Sequence, residues 1–148
     1  MADMLQAFYY TLANTAGVTD ITATAPDGST EGVYMAGDVQ QGATMPFVVV
    51  QQISNVQTRD QSGDSNLDET RVQVMCVAET ARAAYLLKGA VVTALNSYRG
   101  NLGEAGSTVA VRDILHENDM HLPSAPSDGG QRGPQEWMVD FVIWHVTT

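Results

Sequence analysis

One cysteine, Cys76, stands in 148 residues, so an internal disulfide framework and any multi-cysteine metal site are excluded. A reducing cytoplasm is the simple expectation for where such a chain is made. Basic residues are scarce. Seven Lys+Arg face 17 Asp+Glu, for a formal charge of −10. Such a chain is not built to grip a nucleic-acid backbone, because that affinity comes from Lys and Arg displacing counterions. An anionic membrane surface is disfavoured on the same ground. No apolar run approaches the roughly 20 residues that a membrane-spanning helix needs. The opening MADMLQAFYY carries an acid where a secretion signal has its basic region, so no signal peptide is expected.

What is present is a chain of ordinary domain size, 44% apolar and 16% charged. That composition predicts one folded domain over 1–148 rather than a disordered chain. The charge is uneven. Residues 1–69 hold nine acids and one base, and residues 70–148 hold eight acids and six bases.

Apolar spacing predicts a helix over 3–16, with Met4, Leu5, Phe8, Tyr9 and Leu12 on one face, Asp3 as cap and Gly17 as stop. A short strand is predicted over 33–36 and a longer one over 47–55, where the β-branched run gives way to polar residues. Residues 56–67 carry no hydrophobic rhythm and read as a hairpin tip or long loop. Residues 68–79 alternate as a strand. Residues 80–99 make the strongest helix, with Ala84, Leu87, Val91, Leu95 and Tyr98 in one stripe, Thr80 as N-cap and Gly100 as C-terminal glycine. Residues 107–121 read as a strand, bent or bulged near 117–119, and 135–146 as a closing strand. Residues 122–134, with three prolines and three glycines, read as a mobile loop. The expected fold is α+β: a mostly antiparallel sheet of about four strands with two helices packed on one face. The core is expected at Leu87, Val91 and Leu95 against Val74 and Phe141.

Few residues suggest chemistry. Glu117, Asp119 and His121, with His116 beside them, would share one face of a regular strand and could hold a divalent ion. A solvated strand face is the better reading, and no metal or other cofactor is expected. Cys76 on its alternating strand reads as a buried structural thiol rather than a nucleophile paired with His145. Asp113 and Asp140 could form an acid–base pair, but surface positions partnered by Arg71 or Arg112 fit them better. The glycine-rich DGGQRGP lacks the Lys-Ser/Thr of a phosphate loop and no helix follows it. Trp137, Phe141 and Trp144 lack basic neighbours and suit a core or interface rather than base stacking. No catalytic residue is assigned, and a binding or assembly protein is expected rather than an enzyme.

Four segments together resemble a known family. They are the opening amphipathic helix over 4–16, VYMAGDVQQGATMPFVVVQQIS at 33–54, RVQVMCVAETARAAYLLKGAVVTALNSYRG at 71–100, and MVDFVIWH at 138–145. Within the second, Val33 and Tyr34, Gln41 and Gly42, Pro46, and the hydrophobic strand from Phe47 match its pattern. The order and content are similar to the small tail-completion, or tail-terminator, proteins of long-tailed bacteriophages and gene-transfer particles. The resemblance implies a structural virion protein of the tail or neck, assembled in the host cytoplasm. It implies a ring, usually of six copies, at the head-proximal end of the tail tube. Such a ring stops tube growth, docks the head connector and lets DNA through without specific binding. On that reading Asp60, Asp64 and Asp68 are candidates to line the channel. The alternatives are another neck or tail component, such as a head-completion protein or a tube subunit, or else a small ligand-binding or metal-dependent domain.

Overall fold

The computed structural model describes residues 3–22, 32–39, 43–60, 63–123 and 134–146, with the backbone alone at 58–60, 63–65 and 123. Of the expected loop over 122–134, residues 124–133 lie outside the described residues, while 122 and 123 belong to a strand instead; residues 23–31 of the polar stretch 18–32 lie outside them as well.

The chain opens with α1 (Met4–Ala13). The Asp3 carboxylate accepts the Leu5 N–H at 2.9 Å, satisfying a donor that the first helical turn leaves open. The helix ends before Gly17, because Asn14 and Thr15 turn their side chains back onto the carbonyls of Tyr10 and Thr11. A short helix, α2 (Ala16–Thr19), follows and contains that glycine. Next come β1 (Val33–Met35), β2 (Phe47–Asp60) and β3 (Gly63–Ala78).

After β3, Thr80 caps α3 (Ala81–Leu95) by accepting the Ala83 N–H at 3.1 Å. The helix stops at Leu95, well short of Gly100. Asn96 is extended and Ser97 takes a positive φ of 64°. That turn lets the Ser97 N–H donate to the Ile114 carbonyl at 2.8 Å and Asn96 Oδ1 accept the His116 N–H at 3.2 Å. Bonds to the sheet thus replace the helix's last turn. Gly100, at φ 123°, opens a strand that sequence reasoning missed, β4 (Gly100–Leu102), followed by β5 (Val109–Pro123) and β6 (Gln135–Val146).

The strands form one sheet in the order β1-β2-β3-β6-β5-β4. Here the expected fold class is corrected. The molecule is not a four-stranded, mostly antiparallel sheet with two packed helices. It is a six-stranded mixed sheet curled into a half-barrel, with β1 parallel to β2. Two of the strands, β1 and β4, are three residues long and carry almost no periodic signal. Of the two readings of 56–67, the long loop is overturned and the chain does turn as a hairpin there, with strand pairing that runs farther than expected, β2 to Asp60 and β3 from Gly63. Backbone hydrogen bonds extend that ladder where no hydrophobic pattern marks it.

Curvature has a local cause. The central β3–β6 pair runs over twelve partners without a register shift. Its flanking strands each carry two irregularities, at Gln52/Ser54 and Gln57/Arg59 in β2 and at Val111/Asp113 and His116/Asn118 in β5. Bulges bend a strand and raise its twist, so the two wings curl around a straight centre.

One face of the sheet carries the core. Val48, Val50, Val72, Val74, Cys76, Val139, Phe141 and Ile143 meet Phe8 and Leu12 of α1 and Leu87, Val91 and Leu95 of α3 there, all fully buried. Phe8 and Phe141 lie 6.1 Å apart as tilted rings. Gly103, at φ 112°, lets its loop close on α1: an added Cβ would meet the Ala7 Cβ at 3.0 Å, and its N–H donates to Thr11 Oγ1 at 3.0 Å.

Candidate assembly surface

The residues with metal or catalytic potential are engaged with one another. The irregularity between His116 and Asn118 leaves Glu117 unpaired in the ladder, so the trio does not share a face. Glu117 takes both guanidinium nitrogens of Arg71. Asp119 takes Lys88 Nζ at 3.3 Å, with His116 Nε2 3.4 Å away. His121 stacks on Trp137, centroids 5.0 Å apart and planes 13° apart. Lys88 is held as well by two rings, 4.5 Å from the Tyr85 centroid and 4.6 Å from that of Trp137. Among the described residues, no group of three or more His, Cys, Asp or Glu side chains is arranged to hold a metal ion.

Cys76 is fully buried, and burial pushes its thiol up to about 12 against a partial downward pull from Lys88. A thiol so protonated is not a nucleophile at neutral pH. His145 pairs in register with Asp68, eight residues along β3 from Cys76, or about 27 Å at strand spacing. His145 is itself buried, its Nε2 2.6 Å from Thr70 Oγ1 and its Nδ1 2.9 Å from the Val146 carbonyl. Asp113 and Asp140 do not meet. Asp113 pairs in register with Trp144 and accepts from Ile114 N–H, while Asp140 accepts from Gln73 Nε2 at 3.2 Å.

The channel candidates are divided. Asp68 is 6% exposed, on the same face of β3 as Thr70 and Val72. The side chains of Asp60 and Asp64 lie outside the described residues, on backbone that continues the hairpin. Leu87, Val91, Leu95, Val74 and Phe141 are each wholly buried in the core.

Tyr85 and Leu86 of α3 and Val39 are exposed, and the other large exposed apolar side chains lie on β2 and β5, the outer long strands of the sheet. β1 covers β2 only at Val48–Val50, and β4 covers β5 only at Val109–Val111. Beyond these caps, residues 51–56 of β2 are all exposed, with Ile53 at 47% and Val56 at 57%. On β5, Leu115, Met120 and Leu122 are exposed too. The face away from the helices carries a polar row across four strands, Gln51, Gln73, Asp140 and Asn118, aligned in register. The charge-free stretch 39–58, in a chain with 24 charged residues, was the signal for the β2 edge that sequence reasoning passed over.

Among the described residues, the chemically suggestive side chains are tied into ion pairs and ring contacts, and strand segments 51–56 and 118–122 have no strand on their outer side. Residues 6–112 match the family described as Tail completion protein gp17, which is more than half of the chain. The chain belongs to that family, and is a structural protein of the bacteriophage virion, at its tail or neck. Among solved structures, it resembles a chain from the "Virion of native gene transfer agent (GTA) particle" with a TM-score of 0.68. The two are 13% identical, over 97% of this chain and 94% of that one. No curated protein matches this chain in sequence.

Proposed function

We propose that the whole chain acts as one domain that closes into a ring, most simply of six copies, on the head-proximal end of the tail tube. There it ends tube growth and offers the face on which the head connector docks. The observation that carries this reading is a tail-completion domain whose sheet ends in two different open edges. Unlike edges suit a head-to-tail interface, and such an interface closes when its rotation divides a full turn. The protein needs no cofactor and catalyses no reaction on this reading. Its partners are its own copies, the tube subunit and the connector.

DNA passes through the ring without specific binding. Six copies at −10 each would give the ring 6 × −10 = −60 formal charges in all. A negative wall repels phosphate and avoids contacts that would stall the strand. Asp60 and Asp64, at the hairpin's end, are the proposed channel acids, and Asp68, 6% exposed, would join them only if assembly uncovers it.

Native mass spectrometry with electron microscopy of the purified protein and of tails tests the ring. Closed rings support termination, and open tubes of this protein would instead make it a tube subunit. For the channel, Asp60→Lys with Asp64→Lys should leave particles assembled but slow DNA ejection, more so at low salt, where screening is weakest. Unchanged ejection kinetics would remove these acids from the channel.

A further inference from the structure

We propose that neighbouring copies join as one continuous sheet, residues 51–56 of β2 in one copy adding as a strand beside residues 118–122 of β5 in the next. The inference rests on the ring reading and names the surfaces that close it.

Strand direction comes first. The four long strands follow one another as β2-β3-β6-β5, each antiparallel to the last. The first and last of four alternating strands run in opposite directions. A copy related by rotation about an axis to which the strands are tilted, as in a closed barrel, keeps the alternation of directions. Its β2 therefore meets the β5 of its neighbour antiparallel, with the helix-covered faces on the same side. An even number of long strands allows this, whereas an odd number would force a parallel junction.

Availability comes second. Past Val50, no described residue pairs with β2 on the side away from β3 through residue 56. Past His116, where Asn96 makes the last bond, none pairs with β5 on the side away from β6 through residue 122. Natural edge strands are usually blunted by lysine, proline or inward charge. Residues 51–56 carry none of these and expose Ile53 and Val56 instead. The facing segment exposes Met120 and Leu122.

Charge selects a second copy as the occupant. Two chains of −10 repel, and opposed carboxylates at a contact cost several kcal/mol. The β2 edge lies within the charge-free stretch 39–58. On β5, Glu117 is held by Arg71 and Asp119 by Lys88. These two edges can therefore meet without setting carboxylate against carboxylate.

The two edges are also staggered. Gln51 and Val56 stand at the level of Gln73 and Glu69 on β3. Asn118 and Leu122, read across β6, stand at the level of Gln73 and Val77. The offset of about four residues, ~14 Å, gives the stepwise shear that a sheet needs to close on itself.

Engineered cysteines test the pairing, because buried Cys76 gives little background. One cysteine replaces Ile53 or Val56 and a second replaces Met120 or Leu122, in all four combinations and as single variants. Each is oxidised in the purified protein and in assembled particles. At least one double variant should give a ladder of linked copies ending in a terminal band, with every single variant monomeric on a non-reducing gel. A linked dimer from Ile53→Cys alone would mean symmetric β2 pairing and overturn the proposal. Native mass in the same samples separates the two claims. Multimers without any cross-link would overturn the edge pairing and leave the ring. No multimer in solution or in particles would overturn both. As a second arm, Ile53→Lys with Val56→Lys should cut the multimer fraction at least tenfold without moving the melting temperature. An undiminished multimer would count against the edge.

Discussion

The β2–β3 hairpin is one ladder with two characters. At its base, Val48 and Val50 face Cys76 and Val74 and are wholly buried beneath the helices. Toward its far end the same strand reads QQISNVQ and is exposed throughout. Backbone pairing is continuous from one part to the other apart from the two bulges. The comparison separates two roles that strand geometry can serve. The base stabilises the monomer by burying apolar area, at roughly 25 cal/mol per Å². Residues 51–57 of β2 bury little, so they add little to the monomer's stability and are free to meet something outside the chain.

The sharpest test of that division is a pair of truncations. Leu87→Ala, in the helix stripe above the base, should cost about 2–5 kcal/mol, the range for a packed leucine. Val56→Ala, 57% exposed, should stay within about 0.5 kcal/mol of the parent. Denaturant melts of both would collapse the comparison if the two shifts were alike.

Thr70 marks the border, opposite Asn55 on one side and Ile143 on the other, and is fully buried. Its hydroxyl is the partner of His145 Nε2. Thr70→Val keeps the shape and leaves a buried ring nitrogen unsatisfied, so a loss of about 1–3 kcal/mol is expected. A melt equal to the parent's would place the border nearer the base.

The smallest effect is chemical. Cys76, at the base, should resist alkylation at pH 8 in the folded protein and react at once in denaturant. The sign of its pH linkage follows from burial. The unfolded thiol ionises near 9 and the folded one near 12. The unfolded state therefore binds fewer protons across that interval. The stability this gives is present below about pH 9 and is lost as pH rises toward 12. A cysteine introduced at Val56 should alkylate freely in the folded state, and equal labelling of the two positions would break the comparison.

Much of this molecule was legible in its sequence because local physics writes it there. Asp3 and Thr80 announce helix starts, since a short side-chain oxygen at that position satisfies an open backbone donor. Alternation at 72–77 and 135–146 marks strands, since burial on one face requires a period of two. Four segments in order carried the likeness to tail-completion proteins. The far half of the hairpin was not legible, because a polar strand held by backbone bonds has no composition of its own. Nor was β4, whose pairing partner lies elsewhere in the chain, whereas β1 stood where a short strand was expected at 33–36.

By itself, then, the sequence determined where the two long helices start, the central strands, the negative charge and the family. The tertiary structure alone decided where charges and edges fall. A bulge of one residue turned Glu117 toward Arg71 and dissolved a metal-like trio, because a single extra residue reverses which face the next side chain takes. The order β2-β3-β6-β5 left two unlike edges, on opposite sides of one sheet, largely unpaired among the described residues. Strand order comes from contacts between residues far apart in the chain, and no local pattern encodes it.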